Sequence, residues 1–140
     1  MPRQSLATLT LSFTATAPIT VCRACGFDGA MVAAAGAKVF GVSDQTLKIG
    51  EAGTLTVAGT TVIETGGAFP VGASLVTDAQ GRAVAVSGPL AVAAGATAVQ
   101  SAAADGATVL TGADLPEFVF ADALEASAGA GRKVEVLLRR

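Results

Sequence analysis

An all-β fold is what this sequence predicts: a small β-barrel or β-tulip-like sandwich of short strands, with at most one short helix and an extended N-terminal arm. Three observations lead there. Runs of alternating or β-branched residues recur at intervals of roughly 8 to 12 residues, the spacing of strands in barrels and sandwiches. The 17 glycines interrupt nearly every window in which the 31 alanines could build a helix. At 140 residues the chain fits one ordinary domain, which can bury roughly two thirds of its unfolded surface.

Taken in order, Thr8 to Thr14 (T-L-T-L-S-F-T) alternates strictly, with Leu9, Leu11 and Phe13 on one face and Thr8, Thr10, Ser12 and Thr14 on the other. Ile19 to Cys25 is a second extended run, closed by Gly26 and the turn pair Asp28-Gly29. Val32 to Val42 reads as β because Gly36, Val39 and Val42 oppose a helix. Thr54 to Val57 and Thr60 to Thr65 are extended runs separated by Ala58-Gly59, which predicts a tight hairpin. Ser74 to Thr77, the turn Asp78-Ala79-Gln80-Gly81 and Arg82 to Val86 form a second hairpin, with Gly at the last position of a type I turn. Ala91 to Val99 has no decisive pattern, and Thr108 to Thr111 is a short strand. Asp122 to Ala128 offers a single helical turn, stopped by Gly129 and Gly131. Lys133 to Leu138 closes the chain as a strand.

Composition narrows the function. Hydrophobic residues are 51% and charged residues 14%, far from the composition of a disordered chain. Leu, Ile, Val and Phe together number 37, and Trp and Tyr are absent, so the core is thin. Apolar surface that a thin core cannot enclose marks an interface, which predicts a homo-oligomer or a larger assembly. A net charge of −2 provides no polybasic face for phosphates, so no nucleic-acid partner is expected. The uncharged run Ala83 to Ala104 has the length of a membrane span. Ser87, Gly88, Pro89, Gly95, Thr97, Gln100 and Ser101 interrupt it, so strands and loops are expected there and no membrane partner.

No catalytic, cofactor or metal site is expected. Without His or Tyr, acid–base work would fall to carboxylates scattered singly among turns. No glycine-rich stretch continues to the Gly-Lys-Ser/Thr of a phosphate loop. Cys22 and Cys25 form a lone Cys-x-x-Cys with no second pair to complete a zinc site, and both read as small apolar residues. Leu115-Pro116-Glu117-Phe118-Val119-Phe120 concentrates two of the six Phe, which makes Leu115, Phe118 and Phe120 candidate interface anchors, with core packing as the alternative. Ala83 to Gly131 lacks Lys and Arg and carries Asp105, Asp114, Glu117, Asp122 and Glu125. A solvated face with scattered bases is the first reading of this division; if the groups face different partners, complementary charge would orient subunits more than tighten them.

Several segments resemble the capsid cement, or head decoration, family of tailed bacteriophages. Pro18-Ile19-Thr20-Val21 with Gly26-Phe27-Asp28-Gly29 is similar to its first strand and turn, Val39-Phe40-Gly41-Val42-Ser43 to its short segment ending in Gly-Val, and Gly50 to Val57 to its next strand. Gly66-Gly67-Ala68-Phe69-Pro70 through the Asp78-Ala79-Gln80-Gly81 turn to Val84 is the best match. Phe120 to Ala126 and Gly131 to Leu138 resemble its Ala-Leu-Glu-Ala turn and last strand. Val86 to Leu115 is longer and richer in Ala than that pattern, and residues 1–17 stand before it as an added arm, leaving 18–140 as the body.

The resemblance implies a non-enzymatic structural protein of the virion. Its place is the outer surface of the capsid, its partner the major capsid protein, and its copies, often trimeric, hold neighbouring capsomers together. An extended arm carrying Leu9, Leu11 and Phe13 adds a strand to a neighbour's sheet edge, or else serves as an internal first strand. Another β-structured virion component, from the tail or baseplate, or a surface-associated binding module is the competing expectation.

Overall fold

The computed structural model describes residues 4–86 and 117–139. The readings for Ala91–Val99 and Thr108–Thr111, most of the uncharged run 83–104, and Leu115 lie outside the described residues. Ten strands are present: β1 (Ala7–Thr14), β2 (Ala24–Cys25), β3 (Gly41–Ser43), β4 (Ala52–Glu64), β5 (Ala68–Phe69), β6 (Ser74–Thr77), β7 (Ala83–Ala85), β8 (Ala121–Ala123), β9 (Ser127–Ala128) and β10 (Lys133–Leu138). There is no helix among the described residues.

Eight strands form one sheet in the order β2-β3-β4-β10-β8-β6-β7, with β1 attached to β4, and β5 pairs with β9 separately. The sheet curls into a nearly closed barrel. Its two ends meet where the amide of Ala24 in β2 donates to the carbonyl of Gly81, just before β7, at 2.8 Å, and Thr65, just past the end of β4, also bridges Ala83 of β7. The all-β barrel expected from the sequence is therefore the fold observed.

The spine is β4, thirteen residues long. Residues 52–59 pair with β1, Leu55 and Thr56 also pair with β3, and residues 60–64 pair with β10. Leu55, Val57, Thr61 and Ile63 all point inward, in the period of two that a strand imposes. The strand thereby joins two apolar clusters. The larger holds Ile63 with Val42, Phe69, Leu75, Phe120, Val134, Val136 and Leu138, and the smaller holds Leu55 and Val57 with Ala15, Ile19, Cys25 and Leu47.

The hairpin expected at Ala58-Gly59 is not formed. Gly59 has φ of +100°, yet the strand continues through it, and the register with β1 slips between Ala7 and Thr10. A Gly in the left-handed region marks a bulge as readily as a turn, and here the next residues find β10 rather than folding back on Thr54–Val57. A Cβ at Gly59 would meet the carbonyl oxygen of Leu6 and the amide of Thr8. The helical turn considered for Asp122–Ala128 is instead the end of β8, a bend and β9, because Ala121 and Ala123 are claimed by pairing with β10. The run Ile19–Cys25 is strand only at its end. Cys22 has φ of +61° and spans two strand ends, donating to Ser43 and accepting from Glu64. Of Val32–Val42, only Gly41 and Val42 lie in a strand, β3.

The hairpin β6–β7 is as expected. Leu75, Val76 and Thr77 face Ala85, Val84 and Ala83, and Gly81 donates to the Asp78 carbonyl at 3.3 Å. The Asp78 carboxylate accepts the amides of Gln80 (2.8 Å) and Arg82 (2.9 Å) and the Arg82 Nε (2.7 Å).

Candidate interaction surface

Of the residues singled out in the sequence, Leu9 and Leu11 lie on β1 with 47% and 37% of their surface exposed. Phe13, further along the same strand, packs against the smaller cluster. No residue of β1 is buried. The strand is held on one flank by β4, and no other strand pairs with it among the described residues. Every other strand of four or more residues is paired on both sides. From Gln4 to Cys22 the chain carries no charge, so β1 lacks the Lys or inward charge with which natural proteins blunt an open edge. Among the described residues its one protection is the register slip near Ala7, and Thr10 to Thr14 run regularly beyond it.

Phe118 and Phe120 divide between surface and core. Phe120 is 7% exposed and belongs to the larger cluster, whereas Phe118 is 39% exposed. Phe120 is fixed by its amide donating to Leu75 at 3.0 Å, and Phe118 by its amide donating to Gly36 at 2.9 Å. Around them lies a depression of about 300 Å³ lined by Phe27, Lys38, Val39, Phe118, Val119, Phe120 and Arg139. Phe27 is 64% exposed. It sits in the turn that Gly26 and Ala30 close with a 2.9 Å bond, and its ring stacks on Phe40 at 4.9 Å. The Lys38 ammonium stands 5.0 Å from the centre of the Phe118 ring, a cation–π contact contributing about 0.5–1 kcal/mol at an exposed site. Arg139 is anchored by Asp122, which accepts from Nε and Nη2 at 2.7 Å each.

Sequence reasoning found Phe118 but missed Phe27, Lys38 and Arg139, which come from three distant segments. The one local signal was a phenylalanine inside the turn Gly26-Phe27-Asp28-Gly29, where a core position is not available. The cysteines are elsewhere and form no disulfide. Cys25 is buried in the smaller cluster, and burial, reinforced by the nearby Asp28 charge, pushes its thiol up to about 12. Burial likewise raises the Cys22 thiol, so neither is tuned toward the reactive thiolate.

Among the described residues, neither surface gathers a convergent set of polar groups. An open β edge and an aromatic hollow are arrangements that bind other chains. A family model described as phage cement protein matches residues 3–113. No curated protein matches the chain. Among solved structures, the chain is similar to the head fiber gp8.5 N base of bacteriophage phi29, with a TM-score of 0.58 over 94% of this chain and 93% of that one. At 18% identity that likeness is one of fold.

Proposed function

Because this chain belongs to the phage cement protein family, we propose that it binds the outer surface of a phage head and holds neighbouring major capsid protein subunits together. It is a structural component of the virion, carried on the outside of the capsid. The observation that carries the binding role is β1, an eight-residue strand with no buried residue and, among the described residues, an open edge. Such a strand gains main-chain hydrogen bonds when an extended segment of a neighbour is added to it, and Leu9 and Leu11 then lose their contact with water.

In this role residues 1–17, whose strand β1 lies along β4 of the body, present the seat for the neighbour, and 18–140 form the rest of the body. Copies associate with one another, as trimers over the junctions between coat subunits. Packed DNA pushes a head outward, and a binder that grips more than one subunit resists separation through avidity, which exceeds the affinity of any single contact.

Cosedimentation of the purified protein with expanded empty heads of its phage, counted as copies bound per particle, tests the proposal. Saturation at the number of three-fold or capsomer positions is the expected result. Binding of a handful of copies, or none, would overturn it and leave a tail or baseplate component as the reading.

A further inference from the structure

Among the described residues, nothing fills the depression around Phe118. Phe27 and Phe118 keep much of their ring surface in water, although ordering an exposed aromatic brings no burial in return. The floor is rigid, because Val39 and Phe120 are core residues of the larger cluster. At about 300 Å³ the hollow lies at the small end of ligand-sized cavities, which suits one or two side chains.

Its charge is one-sided. Among the described residues, the charged groups in the lining are Lys38 and Arg139. Among the described residues Lys38 makes no ion pair, and its ammonium stands over the face of Phe118, which holds it at the rim. Arg139 commits Nε and Nη2 to Asp122, with Nη2 also 3.4 Å from Ser74 Oγ, and among the described residues its Nη1 nitrogen has no partner. Two basic groups with unused donors therefore flank an aromatic floor.

We propose that this hollow is a second seat for the coat protein, taking an apolar side chain that has a carboxylate within a residue or two of it. The apolar group fills the space between Phe27 and Phe118, and the carboxylate meets the Lys38 ammonium and the open Arg139 nitrogen. An apolar anchor ringed by charge is how compact interfaces combine affinity with orientation. The assignment rests on the cement reading, and it adds a contact made by the body of the protein, separate from β1.

Shell binding by Phe118→Ala and Lys38→Glu tests it, with expanded empty heads as the probe and amide spectra to establish that each variant is folded. Both positions are exposed, so folding is expected to survive. Each variant is expected to bind at least about tenfold more weakly, a loss within the range of interface anchors. Lys38→Glu is also expected to flatten the salt dependence seen for the unaltered protein. Unchanged binding by both folded variants would overturn the second seat while leaving the cement role intact. If Lys38→Glu instead weakens self-association without shells present, the occupant is a second copy and the coat assignment is wrong. Failure of the unaltered protein to bind shells would overturn both readings together.

Discussion

Strands β10 and β1 flank successive halves of the same strand, β4, and their sequences alternate in the same way. Their fates differ. In β10, Val134, Val136 and Leu138 are buried and the residues between them face outward; in β1 nothing is buried, although Leu9, Leu11 and Phe13 alternate as regularly with Thr and Ser. The cause is topological. β10 lies between β4 and β8 with the larger cluster beneath it, whereas among the described residues β1 has β4 alone, and of its apolar face only Phe13 reaches the smaller cluster. Alternation dictates that a strand will form and which residues share a face. It does not dictate that the apolar face will be covered by the same chain, and an uncovered one is where a partner is to be sought.

The sharpest way to break this contrast is to remove bulk on each side of Gly59. Ile63 is fully buried, so Ile63→Ala is expected to cost about 2–5 kcal/mol in denaturant unfolding. A comparable truncation at Leu11 should cost well under half of that. Equal losses would mean that β1 is as much a part of the core as β10.

A smaller effect is expected where the two halves join. Gly59→Ala forces a side chain into a left-handed backbone against the Leu6 carbonyl, a strain of about 1–3 kcal/mol. The amide of Thr60, which bonds Leu6 at 3.0 Å, and the amides of β1 should then exchange faster, while those of β10 keep their protection. Uniform acceleration along both strands would show that β1 and the barrel unfold as one unit.

The halves also differ in how they are closed, and acid separates them. At the closed side of the barrel the Asp78 turn meets β2. Burial alone would raise the Asp78 carboxyl, but the amides of Arg82 and Gln80 and the Arg82 guanidinium outweigh it and hold the group below its ordinary value. The unfolded chain therefore binds this proton more readily than the folded one. The stabilisation is complete above the ordinary aspartate range and is lost as pH falls through it toward the lower folded value. Asp78→Asn should be less stable than the unaltered protein by about 1 kcal/mol near neutrality, the difference between hydrogen bonds to charged and neutral acceptors. That gap should close in acid, as unfolding midpoints measured from about pH 5 down to about pH 2 would show. A gap independent of pH would place the effect in geometry rather than charge.

What could be read from the sequence follows from how local each signal is. The β6–β7 hairpin was legible because Asp78 and Gly81 sit at fixed positions of one turn, and β10 because its alternation is unbroken. Ala58-Gly59 misled because a Gly at positive φ serves a hairpin and a bulge alike, and only the competing partner strand decides between them. Phe118 and Phe120 could not be told apart, since two residues apart on a strand is one face, yet the chain enters β8 only after Phe120 and the period does not hold there. The hollow was invisible: Phe27, Lys38 and Arg139 are brought together by the closing of the barrel, and no spacing in the chain records it.

The smallest expected effect on stability belongs to the substitutions that matter most for the proposed role. Leu9→Ser and Leu11→Ser remove side chains that the described residues cover only in part, 47% and 37% of them being exposed, so each should shift the unfolding free energy by less than about 1 kcal/mol. Serine keeps the strand's backbone donors and acceptors, so an added strand could still dock but would bury less apolar surface. At about 25 cal/mol per Å², losing the burial of both leucines is enough to weaken shell binding by more than tenfold. A pair of variants that fold like the unaltered protein and saturate shells equally well would show that the open face of β1 is only an unfinished surface. Normal stability with lost binding would show that its exposure is what the strand is for.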